Sequence, residues 1–448
     1  MHSVNPADGT ILSVLYGTDE MRGIMGESAF VARMLEVEAA LARAQARLGI
    51  IPSEAAEAIS AQARPEQIDF PALAEATRST GYPVVGLVKQ LTALAGAEAG
   101  RWTHWGATTQ DIMDTAVVLQ MREAFGIIAR DLRRIQAALA AQAREHRATV
   151  MAGRTHLQHA LPLTFGYKCA IWLSPLITMS DRLRELLPRL LKLQFGGAAG
   201  TLASLGDQGV AVAEELAREL RLVAPDAPWH VARDTMAEAV CFLGLMTGAL
   251  SKLATDIMLL MQTEVAEVAE PHAPGRGGSS TMPQKRNPIA CEYIIAQARG
   301  VAALVPQMLN AMAVDQERGT GPWQAEPLAL PQAFTLAHGA LHQAALLAEG
   351  MTVDAARMRR NLDQTGGLIV AEAVMMGLAP YIGRGAAHDA VHHACDVALA
   401  ERVPLAAALG RDPRVTATLD AEAIARLTDP ARYLGSTDAF IDRVLARL

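Results

Sequence analysis

The chain has 448 residues, 51% of them hydrophobic and 19% charged, a balance that excludes intrinsic disorder and supplies a large core. Aromatics are only 4%, and the abundance of Ala, Leu, Met, Gln, Glu and Arg favours helix over sheet. Lys and Arg number 40 against 47 Asp and Glu, and the net charge of −7 argues against a nucleic-acid partner.

The N-terminal MHSVNPADGT has no basic stretch followed by an apolar run, so no secretory leader is expected. Residues 1–110 carry short helical patterns broken by Pro52, Pro65, Pro71 and Pro83. The clearest helix is predicted over 29–48, where Met34, Leu35, Val37, Ala40 and Leu41 fall at helical spacing and Gly49 marks the stop. The segment RWTHWGATTQD (101–111) then gathers His104, Thr108, Thr109, Gln110 and Asp111 around Gly106. Asp111 or a preceding threonine can cap the next helix, and free N–H groups there favour an anion. A capping loop with packing tryptophans explains the segment equally well.

A proline-free run over 111–149 predicts a long helix. GRTHLQHALP (153–162) follows, with Thr155, His156, Gln158 and His159 crowded between apolar segments. The i, i+3 histidines resemble metal ligands, but no third ligand is near, and a general acid or its partner fits better. A helix over 164–193 is expected to be kinked or bounded by Pro175 and Pro188. LQFGGAAGT (193–201) allows close approach of backbone to a ligand, with Gln194 and Thr201 as donors. No strand precedes it, which rejects a dinucleotide loop, and a plain helix–helix turn is an equal alternative.

Residues 234–270 again read as one helix. Its stretch 239–251 is apolar all round and is expected to be buried on every side, while Glu264, Glu267 and Glu270 read as one solvated face. PGRGGSSTMPQKRNP (274–288) combines glycines, Ser279, Ser280, Lys285 and Arg286, with Asn287-Pro288 as cap and first turn of the next helix. Hydroxyls and cations on such a loop suit a lid over an anion. Two further helices are predicted over 288–312 and 328–349. The latter lies in the longest stretch free of Asp, Glu, Lys and Arg (327–348), whose prolines, histidines and glutamines argue against a membrane span. Residues 363–448 return to short helices, where His388, His392 and His393 read as an ordinary helix surface. Cys169, Cys241, Cys291 and Cys395 are scattered, which fits buried thiols in the cytoplasm.

The expectation is therefore an all-α protein of three domains, 1–110, 111–362 and 363–448. Its central long-helix bundle needs copies of the same chain to cover its apolar faces.

GGSSTMPQKRNP resembles the fumarase/aspartase superfamily signature GSSxMPxKxNP, and THWGATTQD, GRTHLQHALP and QFGGAAGT match that family in order over nearly the whole chain. HWGATTQDIMDTAVVLQ, LLKLQFGGAAGTLASLG, APGRGGSSTMPQKRNP, MRRNLDQTGGLIVAEAV and DPARYLG are most similar to the 3-carboxy-cis,cis-muconate cycloisomerases within it. Adenylosuccinate lyase, or a cycloisomerase for another substituted muconate, is the alternative. The stretch QERGTGPWQAE (316–326) fits the muconate enzymes better than the serine-rich motif of the adenylosuccinate lyases.

The resemblance implies a homotetramer whose active sites are shared between subunits, a small polycarboxylate substrate, and no cofactor or metal. It implies no nucleic-acid or membrane partner. It makes Ser279 the proton-transfer residue, with its pKa lowered by Lys285 and by the helix beginning near Pro288. Lys285 and Asn287 are expected to grip one substrate carboxylate. Thr108, Thr109 and Gln110, with His104 nearby, are expected to hold another, and Arg318 to act as a clamp. His156 matches the superfamily's catalytic histidine. Thr155, Gln158, Gln194, Thr201, Ser280 and Met282 are expected to contact substrate.

Overall fold

The computed structural model describes residues 6–271, 277–278, 281–282 and 284–448. Ser279 and Ser280 lie outside the described residues. In chain order the structure runs through α1 (Asp19–Met25), α2 (Glu27–Arg47), α3 (Ser53–Gln62), α4 (Phe70–Thr80), α5 (Pro83–Gly100) and α6 (Thr109–Glu145). An antiparallel hairpin, β1 (Val150–Thr155) and β2 (Gln158–Thr164), precedes α7 (Phe165–Leu190), α8 (Gly209–Leu220) and α9 (Asp234–Met261). After β3 (Val268–Ala269) come α10 (Ile289–Asn310), α11 (Pro322–Gly350), β4 (Thr352–Val353), α12 (Ala355–Asp363), α13 (Ala371–Ile382) and α14 (Arg384–Glu401), with short helices beyond. Apart from the two-stranded ribbons β1–β2 and β3–β4, the fold is all-α. At a rise of about 1.5 Å per residue, α6 spans roughly 55 Å.

The chain divides into two compact units. The first comprises Met1–Leu132, Met179–Ser251 and Tyr293–Gln343. One of its clusters packs Met34, Leu35 and Leu41 of α2 against Ile59 of α3, Leu87 and Leu91 of α5, Leu119 of α6 and Leu216 of α8. Phe125 meets Phe242 and Phe334 edge to face. A buried ion network also lies in this unit. Arg233 donates to Asp114 at 2.7 Å and to Glu326 at 2.6 Å, stacks over Trp229, and shares Asp114 with the Trp323 indole. Its two carboxylate partners keep it charged in spite of burial, while burial holds Glu326 above the usual carboxylate range.

The second unit comprises Arg133–Thr178, Lys252–Glu292 and Ala344–Leu448. Val374 and Leu378 of α13 pack there on Ala390, Val391 and Ala394 of α14. Ala152 of the hairpin packs on Leu362, Ile369 and Val370.

Several sequence expectations change. Helix α7 continues past Pro175 and Pro188, so neither bounds it, and α11 holds Pro327 and Pro331 and begins at Pro322, ahead of the expected 328. An interior proline costs about 3 kcal/mol, and burial of neighbours such as Trp172, Leu173 and Leu176 offsets it. Helix α9 stops at Met261, well before residue 270. Ala266 takes a left-handed φ of +48°, and the chain turns inward. Glu267 and Glu270 are therefore buried rather than one solvated helical face. Glu267 accepts a bidentate pair from Arg154, and Glu270 accepts the N–H groups of Ala290 and Cys291 at the start of α10. Residues 239–251 are not enclosed within the chain, since Leu245 is 53% exposed. The face of α14 bearing His388, His392 and His393 is exposed, with His392 paired to Asp396 one turn on.

Candidate active site

In the first unit, Asp111 organises the polar loop. It is the third residue of α6, and its carboxylate reaches back to accept the Thr108 N–H at 2.9 Å, one half of a capping box. The same carboxylate accepts the N–H groups of Gly196 and Gly197, each at 2.9 Å, the Gln194 amide, and His230 Nε2 at 2.7 Å. One buried acidic side chain thus ties the segment 101–111 to the glycine turn 194–201. Gly197 serves the close approach of these two pieces of chain, since at φ +69° a Cβ there would lie 3.3 Å from the Gly106 carbonyl oxygen. Gly106 has φ +78°, and a Cβ there would lie 2.8 Å from Leu205. A Cβ on Gly196 would lie 2.7 Å from Pro228.

Two predicted substrate contacts prove to be occupied. Gln110 is buried and donates to Asp114 at 3.0 Å and to the His230 carbonyl at 2.9 Å. Gln194 is buried and accepts the Trp229 N–H at 2.7 Å. Both amides position the loop from within. Thr109 opens α6 and is half-buried. Thr201 is exposed and lines a cavity of about 280 Å³ with Asp207 and Pro228.

Arg318 comes to the same place from the segment after α10. Its guanidinium donates to Thr108 Oγ1 at 3.2 Å and to the carbonyls of Gly197 and Ala198 at 3.3 and 3.1 Å. Half-buried and without a carboxylate partner among the described residues, it is a cation held against the polar loop. His104 takes a left-handed φ of +59°, and its Nδ1 lies 2.6 Å from Glu38 of α2. Burial opposes its charge, but the Glu38 charge and hydrogen bond, with Asp111 behind them, raise its pKa above the ordinary imidazole value.

The second unit holds the other two segments. GRTHLQHALP forms a β-hairpin that its residue pattern does not signal. His156 (φ +51°) and Leu157 (φ +63°) are the two-residue tip, and Thr155 pairs with Gln158 across it. All four are exposed. The base is clamped by Arg154, which donates to Glu267 at 2.7 and 2.9 Å, and Asn361 donates to the same carboxylate. His159 on β2 is held below the usual imidazole pKa, first by burial and then by the Arg154 charge. In the signature segment, Met282, Lys285 and Arg286 are exposed. The Lys285 N–H donates to the Met282 carbonyl, and the Asn287 N–H to the Gly277 carbonyl at 3.0 Å. Asn287 thus stands just before α10, whose first free N–H groups are taken by Glu270.

Glu38, His230 and Arg233 are not singled out by the sequence, and Glu267 stands there only as part of a solvated helical face. Glu38 did leave a signal: it falls in register with Met34, Leu41 and Gln45 on the apolar stripe of α2, where a carboxylate needs a partner. His230 and Arg233 lie in a loop without periodicity.

Residues 15–303 match the family model described as Lyase, and 367–444 match the model described as Adenylosuccinate lyase C-terminus. The chain is 49% identical over 429 residues to 3-carboxy-cis,cis-muconate cycloisomerase of Pseudomonas aeruginosa, covering 95% of this chain and 94% of that one. It is 46% identical to trans-aconitate decarboxylase 1 of Mycosarcoma maydis, covering 97% and 88%. The solved structure of 3-carboxy-cis,cis-muconate lactonizing enzyme from Pseudomonas putida superposes with a TM-score of 0.94 at 45% identity, covering 98% of this chain and 99% of that one. With the family model matched over residues 15–303, and the capped polar loop, the long helices and the signature segment all present, the chain belongs to the lyase family of the fumarase/aspartase superfamily.

Proposed function

We propose that the protein is a 3-carboxy-cis,cis-muconate cycloisomerase, closing its substrate to 4-carboxymuconolactone in the protocatechuate branch of aromatic catabolism. The observation that carries this reading is the full-length likeness to a muconate cycloisomerase at 49% identity. The polar loop supports it, because Arg318 and the Glu38–His104 pair there suit an anionic substrate.

In the reaction, one carboxylate oxygen attacks the diene and forms the lactone C–O bond. Electrons move onto the neighbouring α-carbon and its carboxylate, and that carbon then takes a proton. Attack within one molecule avoids the entropy cost of a second reactant. The enolate-like intermediate carries extra charge, and each well-placed donor is worth about 2.7–4 kcal/mol. Ser279 delivers the proton in this reading. Lys285 and Asn287 hold one carboxylate, and Thr108, Thr109, Arg318 and His104 hold another. Thr155, His156 and Gln158 present polar groups from the hairpin tip, with Ser280, Met282 and Thr201 at the border of the substrate. Gln110 and Gln194 act by shaping the loop. The enzyme works as a soluble cytoplasmic homotetramer with sites shared between subunits, and the three segments 1–110, 111–362 and 363–448 are its domains.

The test is loss of diene absorbance when the purified protein meets 3-carboxy-cis,cis-muconate. Ser279→Ala is expected to lower turnover at least 100-fold, the usual scale of a removed acid–base group. Wild-type turnover in that variant would refute the serine assignment. No turnover of the muconate, with carbon dioxide released from trans-aconitate, would refute the substrate.

A further inference from the structure

Helix α2 carries a carboxylate that no step above uses. Glu38 sits on the apolar stripe of α2, 1% exposed, with Val37 and Ala39 buried beside it. Its Oε1 lies 2.6 Å from His104 Nδ1. Its Oε2 is buried and has no hydrogen-bond partner among the described residues, and the same is true of Thr103 Oγ1 and Gln45 Oε1 along the same loop–helix contact. The Gln45 amide donates to the Trp105 carbonyl at 2.7 Å, so α2 holds the loop at the His104 ring and at the residue that follows it. His104 itself is in the left-handed region, an uncommon backbone state for a residue other than glycine and one that persists only where surroundings enforce it.

A buried carboxylate oxygen without a donor is unfavourable for an isolated charge. A cation on the adjoining ring offsets it. The ring's other nitrogen, Nε2, makes no hydrogen bond among the described residues, and the side chain is 19% exposed, so the ring's outer edge is the open one. The charged groups acting on this ring are Glu38 from α2 and Asp111 from α6, both negative, while Arg318 reaches the same loop at Thr108.

We propose that Glu38 is a positioning residue that fixes the His104 ring and favours its imidazolium form, so that Nε2–H is a cationic donor to a substrate carboxylate. Burial alone would leave His104 neutral at the pH of the cell. The serine of the signature segment then needs only to move the proton, because one carboxylate's charge is already met. This inference rests on the cycloisomerase reading for its substrate, and on the geometry of α2 and the loop for its chemistry.

The experiment uses the full chain and Glu38→Gln, with Glu38→Asp as the conservative variant. The His104 ring is followed by NMR titration, assigned by its loss in His104→Gln. Binding of the inert tricarboxylate tricarballylate is measured by calorimetry. In the wild type, His104 is expected to titrate above the ordinary imidazole value. In Glu38→Gln it should titrate at least about one unit lower. KM for the muconate and Kd for tricarballylate should rise roughly tenfold, the size of one charge-assisted hydrogen bond, with a smaller change in kcat. The alkaline fall of kcat/KM should move to lower pH, and Glu38→Asp should restore most of it. A wild-type His104 that is neutral at pH 7 overturns the proposal, and that result needs no variant. So does a Glu38→Gln enzyme with lowered Tm and an unmoved pH profile, since a structural role alone would give it. If His104 titrates and tricarballylate binds as expected but the muconate is not turned over, the substrate reading fails and the pair stands.

Discussion

Asp111 shows how one side chain can decide the shape of a site without touching substrate. Its two oxygens accept from Thr108, Gly196, Gly197, Gln194 and His230. Asparagine has the same shape but offers one acceptor oxygen and turns an N–H₂ toward donors. Asp111→Asn is therefore expected to destabilise the protein by about 3 kcal/mol, seen as a lower midpoint in urea, with KM raised as the loop loosens. The Glu38–His104 pair adds a pH signature. Its folded imidazole pKa is raised, so its stabilisation is complete below the unfolded value of about 6.5 and disappears as pH rises through the folded value. Glu38→Gln should flatten that part of the stability curve, measured as Tm against pH. The residue types of this loop were legible in the sequence because polar side chains stood out against apolar helices. Their partners were not, because His230 lies 119 positions from Asp111 and nothing local links them.

At the scale of elements, the long helices were legible from apolar periodicity, and their prolines were not decisive. Periodicity samples many residues, whereas one proline costs a fixed few kcal/mol that a packed helix can bear. The hairpin β1–β2 was illegible for the opposite reason. Two-residue tips favour Asn-Gly, and this one is His156-Leu157, both at positive φ. Leu157 carries that conformation at 72% exposure, where a leucine gains little from burial. Leu157→Gly is expected to raise stability by about 1 kcal/mol, checked by thermal unfolding. Lower activity in that stabilised variant would mean that the tip's apolar side chain meets a partner surface. The Arg154–Glu267 clamp beneath the tip was likewise hidden, since Glu267 followed a helical pattern that the chain abandons at Met261.

For the whole molecule, the uncovered apolar surface is the guide. Leu245 on α9, Leu309 on α10 and Leu328 on α11 are at least half exposed in the single chain. Helices α9 and α10 are long and apolar enough in composition to cross a membrane, although no membrane partner was expected. In the homotetramer proposed above, copies of the same chain would cover such faces. If the proposed homotetramer forms through this face, Leu245→Asp is expected to shift it to smaller species in light scattering and to cost most of the activity, because the proposed sites need several subunits. A full tetramer with unchanged activity would place the interface elsewhere. The helical class, the order of the polar segments and the superfamily are legible in the residue string alone, because periodicity and short motifs are local properties of the chain. The inward-facing amides of Gln110 and Gln194, the burial of Glu267 and Glu270, and the place of Glu38 beside His104 emerge from packing. Those outcomes depend on which distant backbone and side-chain groups meet once water is excluded, and a buried polar atom takes whichever partner the fold brings to it.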